Sequence, residues 1–346
     1  MRILPAGCAD QRTGSGLCEK GNRPDGGQLP QIPVRSTEAD AASARDLGDD
    51  AVEGRGFFAL RANLKIEKEG KADMEIEKVR VVYYSATGTT EKVVTAVAEG
   101  LARELGKPLE TVNISSPAER EKDISFTDTD LVVVGTPTYA GRIPNKMLPY
   151  FQTKLTGNGA LAVPVVLFGN RNFDNSLAEL CAELEAHGFH TVAAAAFVGQ
   201  HAFATKLAAG RPDEEDLAQA ERYGKDLAVK IKGLTQIPAP VQVSGDPAAP
   251  YYTPLGTDGQ PAKFLKAKPQ TDPDKCTDCG LCAEVCPMGS IDPADVSSVP
   301  GVCIKCQACV VKCPTGAKYF DDPAFLSHKD MLETNYTRRA ESQLFF

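Results

Sequence analysis

A chain of 346 residues is long enough for about two domains of ~150 residues, each with its own core. Its net charge of -8, with no block of Lys or Arg, argues against binding a nucleic-acid backbone, and its longest apolar run, Leu161–Gly169, is far short of the ~20 residues of a membrane span. Of the 11 cysteines, eight fall between Cys276 and Cys313, too crowded to be scattered core thiols.

Residues 1–73 are rich in Gly, Asp, Arg and Pro and show no sustained period of 2 or 3.6. The composition predicts either a disordered extension or an over-long gene model with a natural start at Met74. No secretory signal is visible. Leu4-Pro5-Ala6-Gly7-Cys8 superficially resembles a lipoprotein cleavage site, but Pro5 stands where an apolar residue belongs and nothing membrane-seeking precedes it. A cytoplasmic location with reduced cysteines is expected. Cys8 and Cys18 receive no role.

From residue 74 to 234 strands and helices alternate. Val79–Tyr84 reads as a buried strand, Thr90–Leu105 as a helix with Val93, Val94, Val97, Leu101 and Leu105 on one face, and Leu109–Ile114 as a second strand. Asp130–Gly135 is a third strand, Asn145–Leu155 a helix, Ala162–Gly169 a fourth strand and Asp174–His187 a helix. Phe189–Gly199 is a fifth strand and Asp213–Lys232 a last helix. Five strands alternating with helices predict an α/β fold, a doubly wound parallel sheet with right-handed crossovers. Residues 235–271 form a Pro-rich linker, with eight prolines from Pro238 to Pro273, expected to run semi-extended along a domain surface. Residues 272–320 are a cysteine-rich module. The tail, 321–346, ends in Leu344-Phe345-Phe346 and is expected to dock on a core.

The module reads Cys276-x-x-Cys279-x-x-Cys282-x-x-x-Cys286-Pro287, repeated as Cys303-x-x-Cys306-x-x-Cys309-x-x-x-Cys313-Pro314. Three thiolates at intervals of three wrap one face of a 4Fe–4S cube, and the fourth, too distant along the chain, reaches the other cube. Cys276, Cys279, Cys282 and Cys313 are thus assigned to one cluster, and Cys303, Cys306, Cys309 and Cys286 to the second. Structural zinc takes cysteines in separated pairs and fits this spacing poorly. Gly280, Ala283, Gly289 and Ala308 leave room for close approach. Over roughly 45 residues this stretch resembles the two-cluster bacterial ferredoxins.

After the first strand, Ser85-Ala86-Thr87-Gly88-Thr89-Thr90 opens a helix. Hydroxyls and helix-terminal amides there suit a phosphate. The loop has no Gly-Lys-Ser/Thr and no G-x-G-x-x-G, so a phosphate monoester such as that of FMN is favoured over a dinucleotide. The third strand ends in Gly135-Thr136-Pro137-Thr138-Tyr139-Ala140-Gly141-Arg142 and the fourth in Phe168-Gly169-Asn170-Arg171-Asn172-Phe173-Asp174. Both lie at carboxyl ends of strands, where open sheets bind ligands. Tyr139 and Phe173 are candidates to contact a planar ring, Asn170 to bond its polar edge, and Arg142 and Arg171 to offset its charge. His201 follows the last strand and is either a packing residue or a neighbour of the ring. Cys181 reads as core.

These loops make residues 76–234 resemble flavodoxin: Ser85, Thr87, Gly88, Thr89 and Thr90 match its phosphate loop, and the two later loops match its ring-binding loops in position. The resemblance implies FMN, a strand order of 2-1-3-4-5, and a ring between loops 136–141 and 169–173. The chain has no Trp, so Tyr139 stands in for the Trp that often flanks the ring. The order of parts, with Gly199-Gln200-His201 and Arg211-Pro212-Asp213, is similar to the fused flavodoxin–ferredoxin proteins of anaerobic bacteria: a flavodoxin-like sheet with a small α+β ferredoxin-like domain. The expectation is an electron carrier passing electrons between FMN and two 4Fe–4S clusters, with an unidentified redox partner protein. The alternative is an FMN-dependent reductase of a quinone or other small acceptor, whose candidate proton donors are His201, Tyr139 and Tyr223.

Overall fold

The computed structural model describes residues 75–346. The expectations for 1–73, and for Cys8, Cys18 and Met74, lie outside the described residues.

In chain order the elements are β1 (Lys78–Tyr83), α1 (Thr89–Leu105), β2 (Leu109–Asn113), α2 (Pro117–Arg120), β3 (Ile124–Ser125), β4 (Asp130–Pro137), α3 (Leu148–Thr153), β5 (Leu155–Thr156), β6 (Leu161–Phe168), α4 (Ser176–Ala186), β7 (His190–Thr191), β8 (Ala194–Val198) and α5 (Glu214–Lys232). They continue as β9 (Gln270–Thr271), α6 (Leu281–Glu284), α7 (Ala308–Val311), β10 (Lys318–Tyr319), α8 (Pro323–Asn335) and β11 (Gln343–Phe345). No helix among the described residues is long and apolar enough to cross a membrane.

The main sheet runs β2-β1-β4-β6-β8-β11, with β7 beside the start of β6. Its five longer parallel strands, counted along the chain, stand in the order 2-1-3-4-5. In the centre Val81 pairs with Val133 and Val133 with Val163. β4 and β6 are almost wholly buried, so their near-unbroken Val and Leu runs serve two apolar faces at once. Alternation divides β1 between them: Val79, Val81 and Tyr83 pack with α1 and α5, whereas Val82 and Tyr84 pack with α3 and α4. Helices α1 and α5 touch backbone to backbone, since a Cβ on Gly100 would strike the Glu221 carbonyl and one on Gly224 that of Val97. A capping box between Asp213 and Asp216 starts α5, and Asp216 also holds Arg211 in a buried ion pair.

Four boundaries differ from the sequence reading. The helix expected over 145–155 shrinks to α3, because Pro144 and Pro149 confine it and Leu155 belongs to β5. The fifth strand is split into β7 and β8. The tail contains a full helix, α8, whose start is an Asp322 cap followed by Pro323. It then returns to the main sheet, where β11 lies antiparallel to β8 with Phe345 opposite Ala194.

Segment 235–271 has little regular structure and is stitched along the surface of the sheet domain. The Val241 amide donates to the Thr191 carbonyl at 2.9 Å, that of Asp246 to Asn175 Oδ1 at 2.9 Å, and that of Tyr252 to the Ala140 carbonyl at 2.8 Å. The cysteine module pairs β9 with β10 and carries one short helix, α6 or α7, in each half.

Candidate functional site

The loop after β1 is shaped as an anion cradle. Gly88 caps the 17-residue helix α1 in the left-handed region, φ 90°, and provides no side chain to fill the helix terminus. A Cβ there would meet nothing within 4 Å, so the loop is open on that side. The hydroxyls of Thr87 and Thr89 are 3.4 Å apart, and Thr90 is buried. Ser85 is turned inward: its hydroxyl accepts the Glu91 amide at 3.1 Å, and its own amide donates to Ser115 Oγ at 2.9 Å. A phosphate fits this arrangement through backbone amides, threonine hydroxyls and the helix dipole.

The two later loops are fastened by the rest of the chain. Thr136 is fully buried at the end of β4, followed by Pro137, and the Thr138 hydroxyl lies 2.6 Å from Ser176 Oγ. Ala140 and Gly141 both turn through the left-handed region, and a Cβ on Gly141 would strike Asp174, so the loops touch here. Gly169 packs against His201, whose ring a Cβ at this position would strike. Asn170 spends its amide on the tail, donating to the carbonyls of Tyr336 and Arg338 at 2.6 Å each. Phe173 is buried and packs on Phe168 at 5.5 Å between ring centroids. Asn170 and Phe173 are thus both engaged by partners within the chain.

Linker residues that the sequence reading passed over hold both arginines. Arg171 pairs with Asp174 and lies 4.1 Å over the Tyr252 ring, and Arg142 pairs with Glu179 and lies 5.2 Å over Tyr251. Tyr251 and Tyr252 therefore span the two loops. A Tyr-Tyr pair inside a Pro-rich segment was the available signal.

Among the other candidates, Tyr223 is in the core, its hydroxyl donating to the Ala194 carbonyl at 2.7 Å. His201 accepts the Ala204 amide on Nδ1 at 3.2 Å and meets Phe203 edge-on at 4.4 Å. Burial, helped by His328 and Arg171, lowers it to about 4. Cys181 is buried on α4 as expected.

The eight clustered cysteines line two cavities. One is bounded by Cys286, Cys303, Cys306 and Cys309 together with apolar groups such as Met288, Ile304 and Phe320. The other is bounded by Cys276, Cys279, Cys282 and Cys313. Each set combines three cysteines from one half with the fourth from the other. Backbone geometry repeats as well: Asp278 and Lys305 are both left-handed, as are Gly280 and Gln307. Equivalent amides point at sulfur, Ser290 to Cys286 Sγ and Ala317 to Cys313 Sγ, each at 3.3 Å.

Each set gathers four cysteines around one cavity, the number of thiolates that holds a 4Fe–4S cube.

The two cavities differ in setting. Cys306 and Cys309 are buried, and burial pushes both thiols up to about 12. Cys279 is exposed. At Cys313 burial opposes ionisation, but the Thr315 hydroxyl and the amides of Lys318, Thr315 and Ala317 outweigh it and bring the thiol to about 7. We call the sets inner and outer, because Cys306, Ala308, Ile304, Val285 and Met288 pack into the same apolar core as Tyr84, Ala86 and Tyr139 of the sheet domain. Arg120 adds a polar tie to the Pro287 carbonyl, beside Cys286.

Comparison with known proteins agrees with this architecture. Residues 80–170 match a flavodoxin domain, and residues 269–292 and 300–316 each match a 4Fe-4S binding domain. No curated protein is significantly similar to the chain. Solved structures similar to it include a flavodoxin from the domain Archaea, 16% identical, covering 45% of this chain and 99% of that one with a TM-score of 0.31. Flavodoxin 2 from Bacillus cereus is 17% identical, covering 44% of this chain and 99% of that one, TM-score 0.30. Rubredoxin oxygen:oxidoreductase from the anaerobe Desulfovibrio gigas is 18% identical over 47% of this chain, TM-score 0.30, and the match spans only 38% of that protein's length.

The fold and the cysteine sets define a redox protein of the electron-transfer class. The chain joins a flavodoxin domain to two 4Fe–4S ferredoxin-type domains, and its cofactors are FMN and two 4Fe–4S clusters.

Proposed function

We propose that this chain passes single electrons internally, between FMN at the carboxyl ends of β1, β4 and β6 and the two clusters, and exchanges them with a separate redox partner protein. When bound, FMN can take or give electrons singly or in pairs, and each cluster one at a time. In the loop Ser85–Thr90, Thr87, Gly88, Thr89 and Thr90 hold the phosphate, and Ser85 braces the loop from inside through the Glu91 amide. Thr136–Gly141 and Gly169–Phe173 form the walls for the ring, and the Tyr251–Tyr252 strap keeps those walls at fixed separation. Cys286, Cys303, Cys306 and Cys309 hold the inner cluster, and Cys276, Cys279, Cys282 and Cys313 the outer.

One observation carries the reading: Cys306 of the inner set and Tyr84 and Tyr139 of the flavin loops belong to one packed core. That packing supports a short path between the inner set and the flavodoxin loops. The outer set, with Cys279 exposed, faces away from that core and suits contact with another protein. Of the three proton donors of the small-molecule reductase alternative, Tyr223 is bonded into the core and His201 Nδ1 accepts loop amides, which leaves Tyr139 as its candidate.

The test is anaerobic purification of the full chain with iron, sulfide and flavin counted. About eight iron, eight sulfide and one FMN are expected. After rapid mixing of the reduced protein with an oxidised acceptor protein, flavin and cluster absorbance should change in linked phases. Clusters that reoxidise while the flavin stays reduced would defeat the proposal.

A further inference from the structure

Loop 169–173 closes on itself through a three-residue turn. The Arg171 amide donates to the Gly169 carbonyl at 2.9 Å, with Asn170 between them at φ 69°. A γ-turn of that hand is strained, and a residue held in it needs support from its surroundings. Asn tolerates the left-handed region better than most residues, but tolerance does not select it. The support comes from far along the chain. Asn170 is 2% exposed, and both polar atoms of its side chain are bonded to the turn between α8 and β11. Its Nδ2 donates to the carbonyls of Tyr336 and Arg338, and its Oδ1 accepts the Ala340 amide proton. Both protons of the side-chain amide are thereby taken, so Asn170 acts through the tail. A fourth bond lies one residue on, where Arg338 Nη2 donates to the Arg171 carbonyl at 3.1 Å.

We propose that the tail turn Tyr336–Ala340 is a working part of the FMN site: through Asn170 and Arg338 it holds loop 169–173 in the strained turn that forms one wall for the ring. This rests on the reading of that loop as a ring wall made above. Asn170 and Arg338 are positioning residues, and neither is required to touch the ring. The physical basis is preorganisation. A loop already fixed in its bound shape loses little freedom when the ring arrives. A loop released from the tail must be ordered by the ligand, and affinity falls by that cost. The effect belongs to the ring end of the site. The phosphate loop is braced separately, by Ser85 with Glu91 and Ser115. The ring wall is therefore complete only after the chain has passed through the iron–sulfur module and returned.

The experiment takes the full, cluster-loaded chain stripped of flavin and titrates it with FMN and with riboflavin, which share the ring and differ in the phosphate. Flavin fluorescence gives both dissociation constants. Asn170→Gly keeps a residue at home in the left-handed region and removes the tail bonds. It is expected to weaken both flavins alike, by about tenfold. Arg338→Ala removes one exposed bond and should weaken both by about threefold. Arg338→Lys keeps a donor and should restore most of that loss. Thr87→Ala marks the opposite end of the site, where FMN should weaken and riboflavin should not.

Unchanged affinity for both flavins in Asn170→Gly overturns the proposal. A loss confined to FMN does so too, since it places the effect at the phosphate. If Asn170→Gly fails to fold, the Arg338 variants decide. Equal affinity in Arg338→Ala and wild type overturns the proposal, as does a loss that Arg338→Lys leaves in place. Wild type that binds no FMN would instead overturn the flavin reading itself, so the two failures are told apart by the unmutated chain.

Discussion

Asn170 accepts the Ala340 amide proton on its Oδ1 at 3.1 Å, while its Nδ2 holds the carbonyls of Tyr336 and Arg338. One side chain at the end of β6 thus anchors the turn that carries the tail from α8 to β11. Asn170→Ala should destabilise the protein by about 2–4 kcal/mol, because three bonds go and buried tail carbonyls lose their donors. Asn170→Asp should be at least as damaging, since a carboxylate oxygen would then face those carbonyls. Urea unfolding midpoints, with proteolysis read at the C-terminus, check both. A variant with unchanged stability and an intact tail would show the anchor to be dispensable.

Gly88 sits at φ 90° with open space where a Cβ would project. Gly88→Ala should therefore cost about 1–2 kcal/mol of backbone strain in the cradle without a clash in the core. The expected result is FMN affinity weakened about 5- to 30-fold with the clusters still loaded, measured by flavin fluorescence titration.

Gly224 lies where α5 meets α1, and a side chain there would strike the Val97 carbonyl. Gly224→Ala should lower stability by about 1–3 kcal/mol through overpacking, despite the better helix propensity of alanine. Thermal unfolding of the variant measures the sign: a rise in the midpoint would mean that the helices separate at no cost.

His201 is neutral in the fold, lowered from 6.5 to about 4 first by burial and then by His328 and Arg171, with Glu333 opposing. The unfolded chain binds a proton near 6.5 and the folded chain only near 4, so stability is whole above about pH 6.5. It falls as the pH drops toward 4, by up to ~3 kcal/mol. Protonation also removes the Nδ1 acceptor used by the Ala204 amide. His201→Asn should flatten the slope of stability between pH 6.5 and 4, and an unchanged slope would place the titration elsewhere, His328 being the nearest candidate.

Lys318 is 3% exposed on the wall of the outer cavity, and its Nζ donates to Thr271 Oγ1 at 2.7 Å and to the Val296 carbonyl, both neutral. A buried ammonium without a carboxylate needs another anion, and the outer cysteine set is adjacent. Lys318→Met should make the outer cluster about tenfold harder to reduce, roughly 59 mV. Redox titration checks it: an outer midpoint that holds would leave Lys318 a structural residue.

Much of the sheet domain was legible because its central strands are buried on both faces. Runs such as Asp130–Gly135 and Ala162–Gly169 have little other use. The phosphate loop was legible from local chemistry at a helix start, and the cysteine sets from spacing alone. Long-range partners were not. Tyr84 reads as one more apolar strand residue until the module packs over it. Asn170 is free to serve a ligand until the tail, about 170 positions later, takes its amide. Helix α8 did carry a local mark, Asp322-Pro323, although its apolar face is narrow.

The last strand of the main sheet, β11, follows the iron–sulfur module in the chain. The module is therefore an insertion moored at both ends, not a pendant joined by one flexible stem. During synthesis the outer edge of β8 stays unpaired until the whole cysteine segment has left the ribosome. A single cut in segment 235–271 would accordingly leave the two halves still threaded together.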